Sequence, residues 1–291
     1  MMQLHVYQSI WGMNGLPWRA RLPWTLEQQF ERIAEAGFDG VSVSFTDAEL
    51  ARRVCALAVA HGLRIQASYF PTTVEGFATV FETIADVGRE HVDHVNLQPN
   101  VRPRTVAECV PYLLGWQRLA RQAGIPAYVE THRDRMTTDL MFTLDLLDAV
   151  PSLELTADLS HFLVGREFAW PIDAVDHGMI RQVLRHARAY HGRVASREQV
   201  QIQTSFEHHR QWVELFAGWW EWGFRDFRAR AADDAVLTFT TELGPPQWYA
   251  ITGADGQELS DRWAEALSMQ QLVRDIWARI ERETDQDRRD R

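Results

Sequence analysis

The sequence of 291 residues contains no lysine, so all 30 of its basic residues are arginines. Schiff-base aldolases, pyridoxal-phosphate enzymes and P-loop nucleotidases each need a lysine amine, so the absence of lysine excludes these three classes. Arginine keeps its proton at any working pH and is a poor proton carrier. Acid–base chemistry in this chain must therefore use carboxylates, histidine, tyrosine, cysteine or water bound to a metal.

The low counts of cysteine and of basic residues limit the expected compartment and partners of the protein. The two cysteines, Cys55 and Cys109, make no disulfide framework and suit a reducing compartment. With 40 acidic residues against 30 basic ones the net charge is −10, which works against a nucleic-acid partner. Residues 1–12 lack the pattern of a signal peptide, and no apolar run approaches the about 20 residues that cross a bilayer. We therefore expect a cytoplasmic protein with no membrane or nucleic-acid partner.

Short apolar strands alternate with longer amphipathic helices along the whole chain. Thr25 and Gln28 form the pattern of a helix-capping box, and glycine follows most of the predicted helices. Eight strand–helix pairs in this length predict an α/β fold, a single (β/α)8 TIM barrel over residues 1–291 with a frayed charged tail over 284–291. A doubly wound open sheet would need a phosphate-binding glycine turn after the first strand, and residues 11–17 do not match that fingerprint.

Four consecutive predicted strands each carry a metal-competent side chain at the carboxyl end. These side chains are Glu130, Asp158, His191 and Glu242. In a parallel barrel such strand ends converge on one mouth. Each residue alone has an ordinary interpretation, as a solvated loop charge, a helix N-cap or a core histidine.

Together the three carboxylates would repel one another and be costly to bury, unless a cation neutralises them. One divalent ion resolves the conflict. The oxygen-rich ligand set favours Mn²⁺ or Mg²⁺, while Co²⁺ and Zn²⁺ remain alternatives.

These motifs resemble the xylose isomerase-like TIM-barrel superfamily, the sugar phosphate isomerase/epimerase group. The resemblance is clearest over residues 125–250, in the segments VETHRDR, ADLSH, HGRV and TTELGPP. It implies that Glu130, Asp158, His191 and Glu242 bind one divalent metal and that the two glutamates move a proton between neighbouring carbons of a bound ketose. It also implies substrate contacts for His161 and Arg193, each placed within one of these motifs.

The absence of lysine separates this chain from xylose isomerase itself, in which a lysine assists a hydride shift. Proton transfer by carboxylates is therefore favoured, with a metal stabilising the enediolate of a small ketose or polyol derivative. Strand alternation directs His132 to the same side as Glu130, and Gln98 ends the fourth strand. We expect both as substrate contacts, with rim or loop positions as the alternative, and Arg193 has a salt bridge to a rim carboxylate as its alternative.

Several alternatives stay open. A lyase or dehydratase could eliminate a substituent from the same intermediate, and a barrel could bind a sugar or a metal without turnover. An endonuclease acting at apurinic sites would need further histidine and carboxylate ligands on strands two to four, but strands two and three end without one and His94 lies early in strand four rather than at its end. The tryptophans and phenylalanines of the helix before the last strand predict either packing on the barrel or the interface of a homo-oligomer.

Overall fold

A computed structural model describes residues 2–289, and eight parallel strands form its centre as a closed barrel. Each strand pairs with its neighbours in sequence, and the first strand closes the barrel by pairing with the last. The strands are β1 (Gln3–Ser9), β2 (Gly40–Ser44), β3 (Arg64–Tyr69), β4 (Val92–Leu97), β5 (Ala127–Glu130), β6 (Leu155–Ala157), β7 (Ala187–Gly192) and β8 (Val236–Thr241). This architecture confirms the predicted (β/α)8 barrel.

Helices surround the barrel and connect successive strands. Among the described residues they are α1 (Leu26–Glu35), α2 (Ala48–His61), α3 (Ala78–Val87), α4 (Val106–Ala123), α5 (Leu140–Ala149), α6 (Ser160–Arg166), α7 (Ala174–Leu184), α8 (Arg210–Arg230) and α9 (Arg262–Arg289). None of the helices in this part of the chain combines the length and apolar character of a membrane span.

Local sequence signals set several helix boundaries. The Thr25 hydroxyl accepts a hydrogen bond from the Gln28 backbone N–H, and the Gln28 side chain accepts one from the Thr25 N–H, which confirms the predicted capping box. Gly62 and Gly124 end α2 and α4 with φ values of +68° and +63°, a left-handed conformation in which a Cβ atom is strained. The chain thus turns from α2 into β3 and from α4 into β5 within a few residues.

The region between β6 and β7 forms two helices, whereas the apolar spacing of its sequence predicts one, over residues 179–185. The chain forms α6 directly after β6, and α7 begins already at Ala174 because the Asp173 side chain accepts a hydrogen bond from the Asp176 N–H. Apolar spacing does not predict this capped first turn, because its apolar residue Val175 is exposed. The tail predicted to fray begins within α9, and residues 290 and 291 lie outside the described residues.

The aromatic face of α8 packs against the barrel. Trp220 is fully buried and meets Phe239 of β8 edge-to-face, with ring centroids 5.0 Å apart. Phe224 contacts the same strand residue and also Trp277 of α9. These contacts account for the tryptophan-rich helix by packing within the chain, and an oligomeric interface remains a prediction.

Candidate metal centre

The carboxyl ends of β5 to β8 bring the four expected metal ligands together. Glu130 is the last residue of β5, Asp158 and Glu242 directly follow β6 and β8, and His191 lies near the end of β7. One potential ligand atom from each residue lies within 4.8 Å of the others. His191 Nδ1 is 3.0 Å from Glu242 Oε2 and 3.5 Å from Glu130 Oε1. The barrel thus assembles a compact set of three carboxylates and one imidazole.

Neighbouring groups orient Glu130 and Asp158. Glu130 Oε2 accepts hydrogen bonds from Asn96 Nδ2 at 2.5 Å and Gln98 Nε2 at 2.6 Å, which leaves Oε1 directed towards His191. Asp158 Oδ1 accepts from the Ser160 hydroxyl at 2.5 Å and the Ser160 N–H at 3.0 Å. Each of these carboxylates therefore uses one oxygen to fix its orientation and keeps the second for the centre.

The orphaned atoms of the centre fit a cation. Glu130 Oε1, Asp158 Oδ2 and His191 Nδ1 are buried and have no hydrogen-bond partner in the described structure. Arg193 is also buried, with its Nη2 atom 2.6 Å from Glu242 Oε2 and its Nε atom 3.3 Å from Asp158 Oδ2. With His191 neutral, as a metal ligand must be, the three carboxylates and the one guanidinium sum to −2, so one divalent ion would neutralise the centre. The donor set and its charge both match such an ion.

The pKa shifts reflect the same crowding of charges. Burial raises the pKa of Asp158, with the Glu242 and Glu130 carboxylates adding to the rise and Arg193 opposing it. Burial also acts to raise the pKa of Glu242, but the charges of His191 and Arg193 outweigh it and lower this pKa to about 2. The carboxylates therefore depend on neighbouring positive charge to stay ionised in this enclosed space.

A cavity of about 440 Å³ opens onto the centre at the carboxyl ends of the strands. Its lining includes four residues expected from the sequence, Gln98, His132, Arg193 and Glu242. The remaining wall consists mainly of serines and aromatic rings, together with one valine and one arginine, namely Ser9, Ser42, Ser44, Ser68, Trp11, Phe70, Trp248, Tyr249, Val43 and Arg135. The volume lies within the range of small-molecule sites. A second cavity of about 470 Å³ lies between α4 and β5 and contains none of the proposed metal ligands.

The residues that were expected to contact the substrate differ in their position relative to the cavity. His161 is fully buried behind the cavity wall, with Nε2 3.5 Å from Asp158 Oδ2 and both ring nitrogens without a hydrogen-bond partner in the described structure. His132 lines the cavity, its Nδ1 lies 2.6 Å from the Arg133 carbonyl oxygen, and its ring centroid is 4.2 Å from that of His161. The Nη1 atom of Arg193 is buried and unpartnered there, so a substrate oxygen could meet it in addition to the salt bridge with Glu242.

A second group of residues, Glu130, His132 and His161, also brings potential ligand atoms within 4.8 Å of one another. The charge balance argues against two ions. Burial is the largest cause that lowers the pKa of His161, and the positive charges of Arg193 and Arg133 lower it further. A second divalent ion would leave the enclosed centre with an uncompensated charge of +2.

Three residues that sequence reasoning missed contact the centre. Asn96 lies two residues before Gln98, so strand alternation from Gln98 could have identified it. Gln66 lies inside β3 and its side-chain nitrogen is 3.0 Å from His191 Nε2. Tyr249, in the loop after β8, lies under the guanidinium of Arg193, whose central carbon is 4.1 Å from the ring centroid. No local pattern distinguishes the last two from ordinary strand and loop residues.

Comparisons with known proteins place the fold. No family model matches the chain, and no curated protein matches it. Among solved structures, an L-ribulose 3-epimerase is similar with 14% identity, a TM-score of 0.59 and coverage of 97% of each chain. A xylose isomerase-like TIM barrel protein from Mycobacterium smegmatis in complex with magnesium has 13% identity and a TM-score of 0.55, covering 94% of this chain and 97% of that one.

A third similar structure is the probable 3-DHS dehydratase of petrobactin synthesis from Bacillus anthracis. It has 15% identity and a TM-score of 0.51, and the match covers 82% of this chain and 92% of that one. Identities this low establish similarity of fold. The chain therefore has the fold of the xylose isomerase-like TIM barrels, as the four strand-end motifs predicted.

Proposed function

We propose that this protein is a divalent-metal-dependent isomerase or epimerase of a small ketose or polyol derivative. The observation that carries the proposal is the convergence of Glu130, Asp158, His191 and Glu242, beside a cavity of small-molecule size that Glu242 lines. Mn²⁺ or Mg²⁺ suits these ligands best, and Co²⁺ or Zn²⁺ is compatible with them. Sugar epimerases are among the solved structures with this fold, which supports the substrate class.

When bound, the metal would polarise the substrate carbonyl and stabilise the negative charge that proton removal leaves on the substrate oxygens. The protein supplies the proton carriers. Glu242 lines the cavity, and its Oε2 atom is held by Arg193 while its Oε1 atom accepts no hydrogen bond within the described residues. Glu242 Oε1 is therefore free to take the proton from a C–H bond next to the carbonyl.

Glu130 is the second proposed carrier, and its setting differs. It does not line the cavity, and two side-chain amides donate to its Oε2 atom. Both carboxylates are stabilised in the ionised form by neighbouring donors, so access to the cavity distinguishes them. We therefore assign the first proton abstraction to Glu242, which lines the cavity, and to Glu130 the binding of the metal and the return of a proton on the other face.

The cavity wall would bind the rest of the substrate. Arg193 Nη1 and the Gln98 and His132 side chains surround the space beside Glu242 and offer contacts to hydroxyl and carbonyl oxygens. Aromatic rings such as Trp248 and Tyr249 offer flat apolar surfaces to the C–H faces of a sugar. His161, which is buried beside Asp158, would act from behind this wall.

The test is proton exchange on a panel of ketoses in D2O, followed by NMR after chelation and after return of Mn²⁺. Glu242→Gln should lower the exchange rate by about 10²–10⁴-fold, the usual contribution of a positioned base. Glu265→Gln is the matched control, because Glu265 is a buried glutamate of α9 outside the centre. Full activity of Glu242→Gln would refute its role, and an eliminated product without an exchanged one would identify a lyase instead.

A further inference from the structure

We propose that Gln66 is a positioning residue for the metal ligand His191, accepting a hydrogen bond from its Nε2–H and so holding its Nδ1 lone pair towards the three carboxylates. This inference rests on the proposed metal centre. Gln66 is completely buried in β3. Its Nε2 atom lies 3.0 Å from His191 Nε2 and 3.0 Å from Ser42 Oγ, and its Oε1 atom accepts a hydrogen bond of 2.9 Å from Thr240.

The two ring nitrogens of His191 face different groups. Nδ1 faces Glu242 and Glu130, whereas Nε2 faces Gln66. A neutral imidazole carries one N–H, so a cation bound at Nδ1 requires the hydrogen to be on Nε2. Because Nε2 is enclosed in the barrel, this hydrogen needs an acceptor there, and Gln66 is the described side chain within hydrogen-bond distance of it.

The Gln66 amide can meet this need by a half-turn about its terminal bond. In the structure its nitrogen faces His191, whereas the metal-binding form of the imidazole requires the oxygen there. The half-turn exchanges the oxygen and the nitrogen within nearly the same volume. The other two partners are the hydroxyls of Ser42 and Thr240, and a hydroxyl can either donate or accept. All three hydrogen bonds therefore survive in both orientations.

The chemistry of the position explains why an amide suits it. A methionine of similar length has no strong acceptor, and the Nε2–H of His191 would be buried without a partner. A glutamate keeps an acceptor at the same reach, and its two oxygens can accept from Ser42, Thr240 and His191 together. The two substitutions are of nearly equal size, but glutamate, which also adds a negative charge, can accept the hydrogen bond from His191 and methionine cannot.

The experiment measures Mn²⁺ binding by electron paramagnetic resonance for the full chain and its variants. Gln66→Met should weaken the metal affinity by about 10–100-fold, the usual effect of removing the partner of a ligating histidine, and Gln66→Glu should restore most of it. Gln29→Met is the matched control, because Gln29 is a buried glutamine of α1 far from the centre. Its metal affinity should stay within about twofold of the wild-type value.

NMR of the imidazole nitrogens supplies a readout that needs no variant. In the Zn²⁺-loaded wild-type protein, His191 should show a metal-bound Nδ1 and a protected Nε2–H. An unprotonated Nε2 would overturn the proposal, as would a folded Gln66→Met variant with wild-type affinity or a Gln66→Glu variant as weak as Gln66→Met. A wild-type protein that binds no metal would instead refute the proposed function, so the two failures are distinguishable.

Discussion

His94 is a buried histidine outside the set of proposed metal ligands, and it gives a quantitative test of the barrel interior. The side chain is 2% exposed within β4, its Nε2 atom has no hydrogen-bond partner in the described structure, and its ring packs 5.0 Å from that of Tyr128. Burial lowers the pKa of His94 from its usual 6.5 to about 4. The unfolded chain therefore takes up a proton at a higher pH than the folded chain does.

The sign and size of the effect follow from this difference. Above pH 6.5 the imidazole is neutral in both states and has no effect on the pH dependence, whereas stability is lost as the pH falls from 6.5 towards 4. At about 1.4 kcal/mol per pH unit, His94 should cost about 2 kcal/mol of the free energy of unfolding at pH 5. His94→Phe removes the proton site and keeps a ring beside Tyr128.

The measurement is urea unfolding at pH 7.5 and pH 5.0 in the presence of a chelator. The loss of stability between the two pH values should be about 2 kcal/mol smaller for His94→Phe than for the wild-type protein. His208→Phe is the matched control, because it removes an imidazole that is exposed in the folded chain. If His94→Phe kept the full pH dependence of the wild type, His94 would have to be protonated or hydrated inside the fold, and the reasoning would fail.

Three further predictions concern stability. Mn²⁺ at about 100 times its dissociation constant should raise the free energy of unfolding by about 2.7 kcal/mol and Tm by about 4 °C, and an unchanged thermal melt would contradict a metal centre. Arg193→Met should destabilise the metal-free protein by about 3–5 kcal/mol, because Asp158 loses its buried cation. The same variant should show a larger rise in Tm on addition of Mn²⁺ than the wild-type protein, and a smaller rise would argue against the charge balance. In α8, Gly223→Ala should lower the free energy of unfolding by about 1–3 kcal/mol, because its Cβ would collide with the Tyr190 hydroxyl. Gly218→Ala, whose Cβ meets open space, should raise it by up to about 1 kcal/mol. Chemical denaturation that ranks the two variants otherwise would refute this packing.

The strand ends were predictable because their geometry follows from the fold. Once the alternating pattern indicated a parallel barrel, the positions of Glu130, Asp158, His191 and Glu242 at successive carboxyl ends implied that they meet. The helix termini with capping residues were predictable for a similar reason, because capping is local. Both kinds of inference depend on signals contained in a few consecutive residues.

The partners of these residues were not predictable in the same way. Gln66 and His191 are separated by 125 positions, and their contact depends on how far each strand is staggered around the barrel. Tyr249 belongs to a loop whose path is set by distant contacts, including its hydroxyl 3.3 Å from His132 Nε2. The sequence pattern fixes which face a strand residue occupies, but the rotamers and loop paths that complete the centre arise only from tertiary packing.

The two halves of the barrel contribute different kinds of residue to the cavity and the centre. The proposed metal ligands lie in or directly after β5 to β8, whereas the lining serines Ser9, Ser42 and Ser68 come from β1 to β3. Under the proposed function, the second half-barrel would hold the reacting groups and the first would add hydroxyls that contact the substrate. Substitutions at these serines would then change which substrate fits while the metal ligands stay in place, so a new specificity could arise without rebuilding the reactive centre.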